Sequence, residues 1–274
     1  MTIKTIFSAV LVEDQPIQNS SINYAVSMAT MTNAQLLILI GVPRLAARSG
    51  TIIPEVPELV DAANAERRTI AEAYGAKLKK LGKDLNLTIE IVSDNYIDIR
   101  NRMVANARMS DIIFLSPSKD FTTSRYDVMR AMLFTSGRPV LLVPTEWTRP
   151  AAFNRVLVAW DGGAQAARAL ADSIPLIECA DHTDIIFVER DDDKMVIPAI
   201  LEAHLRRHCI SLTVTRLLMN NGDVGKTIRD HAVSSYADLV VMGAWGHSRL
   251  WEFTFGGATQ DAIANLQRPT LLSH

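Results

Sequence analysis

Ten apolar, β-rich runs recur along this chain of 274 residues and restrict its fold more than any other feature. Patterns of helical period lie between the runs; Ala167, Leu170 and Ile174, for example, fall on one face of a helix. Strands that alternate with helices predict an α/β fold, with a parallel sheet covered by helices on both faces. The predicted strands are 6–12, 35–42, 87–92, 111–116, 139–143, 155–160, 184–189, 211–217, 238–242 and 269–273.

The ten runs form two series of five, which indicates that one unit occurs twice. Residues 110–115 (SDIIFL) parallel 237–242 (ADLVVM). Residues 137–142 (GRPVLL) parallel 267–272 (QRPTLL) in the same way. The similarity predicts two tandem five-stranded units.

We place the two domains at residues 1–145 and 152–274. The stretch 144–150 between them begins and ends with proline and is otherwise mostly polar, which is typical of a linker. The first domain carries an insertion at 41–60, rich in proline, which we expect to be a surface loop followed by a long helix at 61–81.

The run 269–273 is apolar, and we expect the edge of this strand to need covering. An unpaired apolar edge invites pairing with another strand. We therefore expect this strand to pair within the chain or across a homodimer.

A glycine-rich loop follows the run 238–242 and contains Gly243, Gly246 and Gly256. Glycines at a strand-to-helix junction let backbone N–H groups approach an anion, and the N-terminus of the helix predicted at 260–266 adds partial positive charge. This combination predicts a phosphate-binding loop. The nine residues between Gly246 and Gly256 make the loop too long for the Walker A motif, and the GxGxxG motif is absent.

The loop has a Gly-x2-Gly-x9-Gly-Gly pattern that begins at Gly243 and resembles the nucleotide loop of the universal stress protein family. That family also places an aspartate at the end of its first strand, where this chain has Asp161 followed by Gly162. The resemblance covers the second half of the chain well and the first half in outline. It implies a tandem universal stress protein with a Rossmann-like, adenine nucleotide alpha hydrolase-like fold.

The resemblance also implies that the second half binds ATP or another adenine nucleotide, with or without Mg²⁺. Asp161, with Gly162 beside it, would reach the nucleoside or its metal, and the backbone near Val188 would face the adenine. The residues implied to line the ribose and the phosphates are Gly243, Gly246, His247, Arg249, Gly256, Gly257, Ala258 and Thr259.

Some of these residues have simpler interpretations. An Asp-Gly pair such as Asp161-Gly162 is a common turn signal, and Arg249 is equally explained as a solvated loop cation. Gly257 stands where the family has Ser or Thr, so a hydroxyl donor worth about 1.5–3 kcal/mol, or roughly ten- to hundredfold in affinity, is missing. Thr259 is an alternative donor.

The first half has no comparable loop. Residues 116–120 (SPSKD) follow its fourth run without a GxxG motif, although Glu13 and Asp14 place acidic groups after its first run. We predict that this half is a degenerate domain that does not bind a nucleotide in the family's manner and serves structure or docking. Lys119 is a candidate anion contact without other support.

Charge and cysteine content restrict the partners and the compartment. The chain has 28 basic and 30 acidic residues, a balance that gives no reason to expect nucleic acid or an anionic membrane as partner. No apolar run reaches the roughly 18 residues of a membrane helix. Two cysteines without a CxxC motif fit a reducing compartment, and we predict a cytoplasmic protein.

A metal site is a weaker hypothesis. His204 and His208 are four residues apart, with Cys209 adjacent, and this spacing can bind zinc. The HExxH glutamate is absent, and two arginines lie between the histidines, so cations near a helix C-terminus are the favoured interpretation. The acidic loop 191–193 is interpreted as a helix cap and a solvated turn.

The chain lacks the nucleophile elbow GxSxG and the protein-kinase motifs. We therefore expect no dedicated enzyme and at most slow ATP hydrolysis. The leading hypothesis is a stress-response sensor or regulator that binds an adenine nucleotide in its second half. The alternatives are an interaction or dimerisation protein that binds no nucleotide, and a weak ATPase.

Overall fold

A computed structural model describes residues 3–13, 17, 19–46, 56–118, 120, 122–189, 199–208, 211–219, 223–244 and 265–274. Within these residues strands and helices alternate, and all ten predicted strands are present with both ends within two residues of the predicted positions. The α/β fold class is confirmed.

The described part of the first half holds five strands and four helices. They are β1 (Thr5–Leu11), α1 (Ser20–Thr32), β2 (Gln35–Pro43), α2 (Val56–Leu81), β3 (Leu87–Asp94), α3 (Tyr96–Ala107), β4 (Ile112–Leu115), α4 (Ser124–Thr135) and β5 (Val140–Leu142).

The described part of the second half repeats the pattern. Its elements are β6 (Arg155–Ala159), α5 (Ala164–Ile177), β7 (His182–Glu189), α6 (Ala199–Leu205), β8 (Leu212–Leu218), α7 (Val224–Ser234), β9 (Leu239–Gly243) and β10 (Thr270–Ser273). The helix predicted at 260–266 falls mostly outside the described residues.

The insertion is shorter than the sequence suggested. β2 extends to Pro43 and α2 begins at Val56, five residues before the predicted start at 61. Pro57 does not prevent this, because the first turn of a helix needs no N–H donor from its residues. Although α2 is long, no described helix is both long enough and apolar enough to span a bilayer.

The ten strands form one sheet in the order β3-β2-β1-β4-β5-β10-β9-β6-β7-β8. All neighbouring strands are parallel except β5 and β10, which pair antiparallel with Leu271 opposite Leu141. Each half therefore has the strand order 3-2-1-4-5, and the halves meet through their fifth strands. Because this contact is antiparallel, the carboxyl ends of β1 and β4 face the opposite way from those of β6 and β9.

Both faces of the sheet are covered, as the near-continuous apolar runs require. Successive strand residues point to opposite faces, so Ile6 joins the core beneath α1, α2, α5 and α6 while Phe7 packs beneath α3 and α4. On the second face, α7 packs against Leu157, Ile186 and Val240.

An aspartate at the start of the fourth strand makes corresponding hydrogen bonds in both halves. The Asp111 carboxylate accepts the backbone N–H groups of Lys4 and Thr5 at 2.7 and 2.9 Å, and so fixes the start of β1 to the start of β4. The Asp238 carboxylate accepts the backbone N–H of Arg155 at 3.1 Å and joins β6 to β9 in the same way. The sequence parallel between 110–115 and 237–242 thus has a structural counterpart.

The predicted linker lies against the junction between the halves. The Trp147 ring is 4.2 Å from Cζ of Arg149 and 5.8 Å from Cζ of Arg268, which precedes β10. Burial, followed by the nearby charge of Arg149, lowers the pKa of the Arg268 guanidinium. The segment is also held at its C-terminal flank, where the N–H of Ala151 donates to Ser27 Oγ at 3.0 Å.

The β5–β10 junction predicts a large cost for truncating its side chains. Leu271 is fully buried at the junction, and Leu271→Ala is expected to lower the free energy of unfolding by about 2–5 kcal/mol, because a cavity forms in a packed core. Urea denaturation measures this change. Leu218→Ala is the matched control, since Leu218 on the outer strand β8 is 76% exposed; equal effects of the two substitutions would contradict the junction.

Candidate functional site

The candidate site lies where β6 and β9 end, at the switch point of the second half. The chain runs outward from β6 to β7 and β8, then returns to place β9 on the other side of β6. Ligands of open α/β sheets bind beyond the carboxyl ends of the strands at such a switch. Ala159 pairs in register with Met242 on one side and with Ile186 on the other. The chain therefore brings Asp161, Val188 and Gly243 to the same end of three adjacent strands.

Asp161 begins the loop between β6 and α5. Its Oδ1 accepts the backbone N–H of Gly163 at 2.8 Å, and Gly162 between them has φ +81°, in the left-handed region that favours glycine. The turn interpretation of Asp161-Gly162 is thus correct for one carboxylate oxygen. Within the described residues Oδ2 has no hydrogen-bond partner, so that oxygen remains able to accept a bond from a ligand.

The N-terminus of α5 opens onto the same end of the sheet. Gly163 is its N-cap, no side chain caps the helix, and its first turn contains no acidic residue. The positive end of the helix dipole is therefore not neutralised by the helix's own first turn, and it favours a negative group at this position.

Gly243 has a packing role that the sequence did not reveal. A Cβ atom placed on Gly243 would lie 2.5 Å from the backbone N of Ala166 and 2.7 Å from the backbone C of Gln165. Only glycine lets β9 approach the first turn of α5 this closely. The residue therefore sets the distance between strand and helix at the candidate site, whether or not a ligand is present.

Val188 is half-buried and belongs to the apolar cluster beneath α7, where it packs beside Ala159 and Met242. It lies opposite Leu217 in the β7–β8 ladder. Its side chain has a structural role, and its backbone is the part near the candidate site.

Seven predicted site residues lie outside the described residues, together with the rest of the glycine loop. These are Gly246, His247, Arg249, Gly256, Gly257, Ala258 and Thr259. Their assignment stays a prediction.

His204 and His208 lie close together in the structure. The rings of His204 and His208 are 5.1 Å apart, and Nδ1 of His208 lies 2.9 Å from a carboxylate oxygen of Glu178. Cys209 and the acidic loop 191–193 lie outside the described residues. Among the described residues, no three His, Cys, Asp or Glu side chains form a metal-binding group.

Sequence reasoning missed a cavity in the first half. It has a volume of about 320 Å³ and lies at the carboxyl ends of β1 and β4, where that half has its own switch point. The hydroxyl-rich stretch after β4, which includes Ser116 and Ser118, was the available signal.

The close approach at Gly243 predicts a stability effect without any ligand. Gly243→Ala is expected to lower the free energy of unfolding by about 1–3 kcal/mol, because backbone atoms of α5 cannot swing away from the added methyl group. Gly75→Ala in α2 is the control, since its Cβ would meet only side-chain atoms at 3.4 Å or more. Urea denaturation of both variants decides; equal stability would mean that Gly243 is not required for packing.

Among known proteins, the chain is similar to solved structures. No protein-family model and no curated protein matches the chain. The structure is similar to a universal stress protein from Archaeoglobus fulgidus, with a TM-score of 0.69 and 15% identity over 97% of this chain and 95% of that one. It is also similar to a putative universal stress protein from Pseudomonas aeruginosa, with a TM-score of 0.53 and 15% identity over 99% of this chain and 93% of that one.

A further similarity is to a functionally unknown protein from Pseudomonas aeruginosa, with a TM-score of 0.54 and 16% identity over 99% of this chain and 92% of that one. The resemblance found in the glycine spacing is therefore matched by a likeness in fold that extends far beyond the loop. The chain has the fold of the universal stress proteins across both of its halves.

Proposed function

We propose that this protein is a stress-response sensor or regulator of the universal stress protein type, which binds ATP or another adenine nucleotide in its second half. One observation supports this most strongly. Asp161, Val188 and Gly243, three residues chosen from a sequence pattern, lie at the ends of three adjacent strands at a switch point.

The described groups have complementary roles in the proposed site. Oδ2 of Asp161 accepts a bond from a ribose hydroxyl or holds a Mg²⁺ ion, while the backbone near Val188 faces the adenine. The free N-terminus of α5 faces the anionic end of the nucleotide. Gly243 keeps strand and helix close enough for both to reach one ligand.

The glycine loop supplies the remaining contacts in the proposal. Backbone N–H groups of Gly246, Gly256 and Gly257 would hold the phosphates, with Arg249 and Thr259 as further donors. The proposed activity is binding, with at most slow hydrolysis, since the sequence carries none of the catalytic motifs noted above. Binding would change the glycine loop or a dimer surface, and this change would be the signal.

The proposal also includes the two domains 1–145 and 152–274 and a cytoplasmic location. A second candidate function is an interaction or dimerisation protein without a nucleotide. Two observations favour it: Gly257 lacks the family hydroxyl, and Gly243 has a packing reason of its own. Identifying the nucleotide released on denaturing freshly purified protein separates the two functions, because the first predicts about one ATP or ADP per chain.

Asp161→Asn tests the charge of the proposed site. The amide still accepts the N–H of Gly163, so the turn survives, but Mg-ATP affinity is expected to fall about tenfold because a charge-assisted bond becomes a neutral one. Isothermal titration calorimetry measures the affinity. Asp181→Asn, before β7 at the opposite end of the strand, is the control and should leave affinity unchanged; an unchanged Asp161→Asn variant would refute the assignment.

Gly257→Ser tests the position that departs from the family. Restoring a hydroxyl donor should tighten Mg-ATP binding by roughly ten- to hundredfold, which corresponds to about 1.5–3 kcal/mol. Titration of the variant beside the unaltered protein measures the change. If neither the variant nor the unaltered protein binds Mg-ATP, the second candidate function, an interaction protein without a nucleotide, is favoured.

A further inference from the structure

The cavity of the first half lies where β1 and β4 end, between the start of α1 and the start of α4. Its volume of about 320 Å³ falls within the roughly 300–1,000 Å³ of small-molecule sites. Because β5 and β10 are antiparallel, this cavity and the candidate nucleotide site lie at opposite ends of the sheet. The two sites are therefore physically separate.

One wall of the cavity is built from hydroxyl groups. Ser116 Oγ donates to Ser21 Oγ at 3.0 Å and lies 3.2 Å from Ser20 Oγ. Ser118 Oγ lies 3.0 Å from Oγ1 of Thr123. The hydroxyls of Ser118 and Thr123 also donate to the backbone carbonyl of Asp120. Each hydroxyl oxygen has two acceptor lone pairs, so what the wall offers a ligand is mainly the capacity to accept hydrogen bonds.

Other residues that line the cavity are apolar. Met103 from α3, Leu115 from β4, and Val128 and Met129 from α4 are all buried and line the cavity. Methionine side chains adapt to irregular shapes, and their sulfur atoms make favourable contacts with aromatic rings. A cavity whose lining combines apolar side chains with hydroxyl groups fits a ring that carries hydroxyl groups.

The charges at the mouth disfavour a phosphate. The described lining contains the carboxylates of Asp120 and Glu146 and the guanidinium of Arg125, which lies 3.7 Å from the Glu13 carboxylate. Hydrogen bonds from the hydroxyl and the N–H of Thr122 lower the pKa of Asp120 and keep it ionised. Lys119, beside Asp120 in the chain, lies outside the described residues.

Carboxylates accept hydrogen bonds from hydroxyls, and an acidic side chain holds the ribose hydroxyl in dinucleotide sites. Glu146 lines the cavity and is exposed, and no hydrogen bond or ion pair joins it to another residue within the described part of the chain. A neutral hydroxylated ring gains these contacts, whereas a phosphate would meet like charge.

We propose that the cavity between α1 and α4 binds an uncharged ring compound with adjacent hydroxyl groups, held by Glu146 and the serine wall against Met103 and Met129. Both nucleosides and sugars have this chemistry. The proposal is independent of nucleotide binding in the second half.

Methyl NMR of the full chain with ¹³C-labelled methionines tests the site directly. Met103 and Met129 line the cavity, whereas Met242 lies at the end of β9 next to the candidate nucleotide site. Adenosine or glucose, titrated to about 10 mM, should shift the Met103 and Met129 signals in a saturable way. Saturation by adenosine alone identifies the nucleoside class, and saturation by glucose alone identifies the sugar class.

Three results of this titration would overturn the proposal. They are no shift at Met103 and Met129 with either probe, a shift there only with Mg-ATP, and shifts confined to Met242. Shifts confined to Met242 would leave the proposed nucleotide site of the second half standing. An absence of Met242 shifts, with shifts present at Met103 and Met129, would count only against that nucleotide site.

Two variants locate the contacts. Glu146→Gln should weaken binding of the active probe about tenfold, because a charged acceptor becomes a neutral one. Ala9→Leu should abolish binding by filling the cavity from β1. Glu66→Gln on the exposed surface of α2 is the control and should bind as the unaltered protein does. If Ala9→Leu does not fold, Glu146→Gln still decides, since an unchanged affinity would contradict the proposal.

Discussion

The antiparallel pairing of β5 with β10 is the interaction on which the rest of the structure depends. Both strands are buried along their whole length, so neither could remain an open edge without exposing apolar side chains and unpaired backbone groups. Their pairing joins the ten described strands into one sheet, with β3 and β8 as its outer strands. It also turns the two switch points in opposite directions, and this separates the candidate nucleotide site from the cavity of the first half.

The two halves share their structural residues and differ in their loops. Asp111 and Asp238 make corresponding bonds to the starts of β1 and β6, at the ends of the strands away from either site. At the carboxyl ends the halves diverge: the first has a hydroxyl-lined cavity, and the second has Asp161 and a glycine-rich sequence. Divergence at these ends is expected physically, because loops there can change without disturbing the sheet.

At the candidate site, structural and functional roles fall on the same residues. Asp161 fixes a turn with one oxygen and leaves the other for a ligand, and Gly243 permits the contact with α5 that forms one side of the site. The glycine pattern alone could not separate these roles. A glycine required by a neighbouring backbone and a glycine required by a phosphate look identical in a sequence.

The sequence by itself determined the ten strands, their alternation with helices and their grouping into two series, because hydrophobic periodicity is a local property of the chain. It also indicated Asp161, Val188 and Gly243, since residues that end parallel strands meet at one end of the sheet. Only the tertiary structure decided that the last strands of the two halves meet antiparallel, what Gly243 touches, and that a cavity exists. Ser21 and Ser116 are 95 residues apart in the chain, and their 3.0 Å contact depends on β4 lying beside β1. Such contacts follow from strand order, which local patterns do not encode.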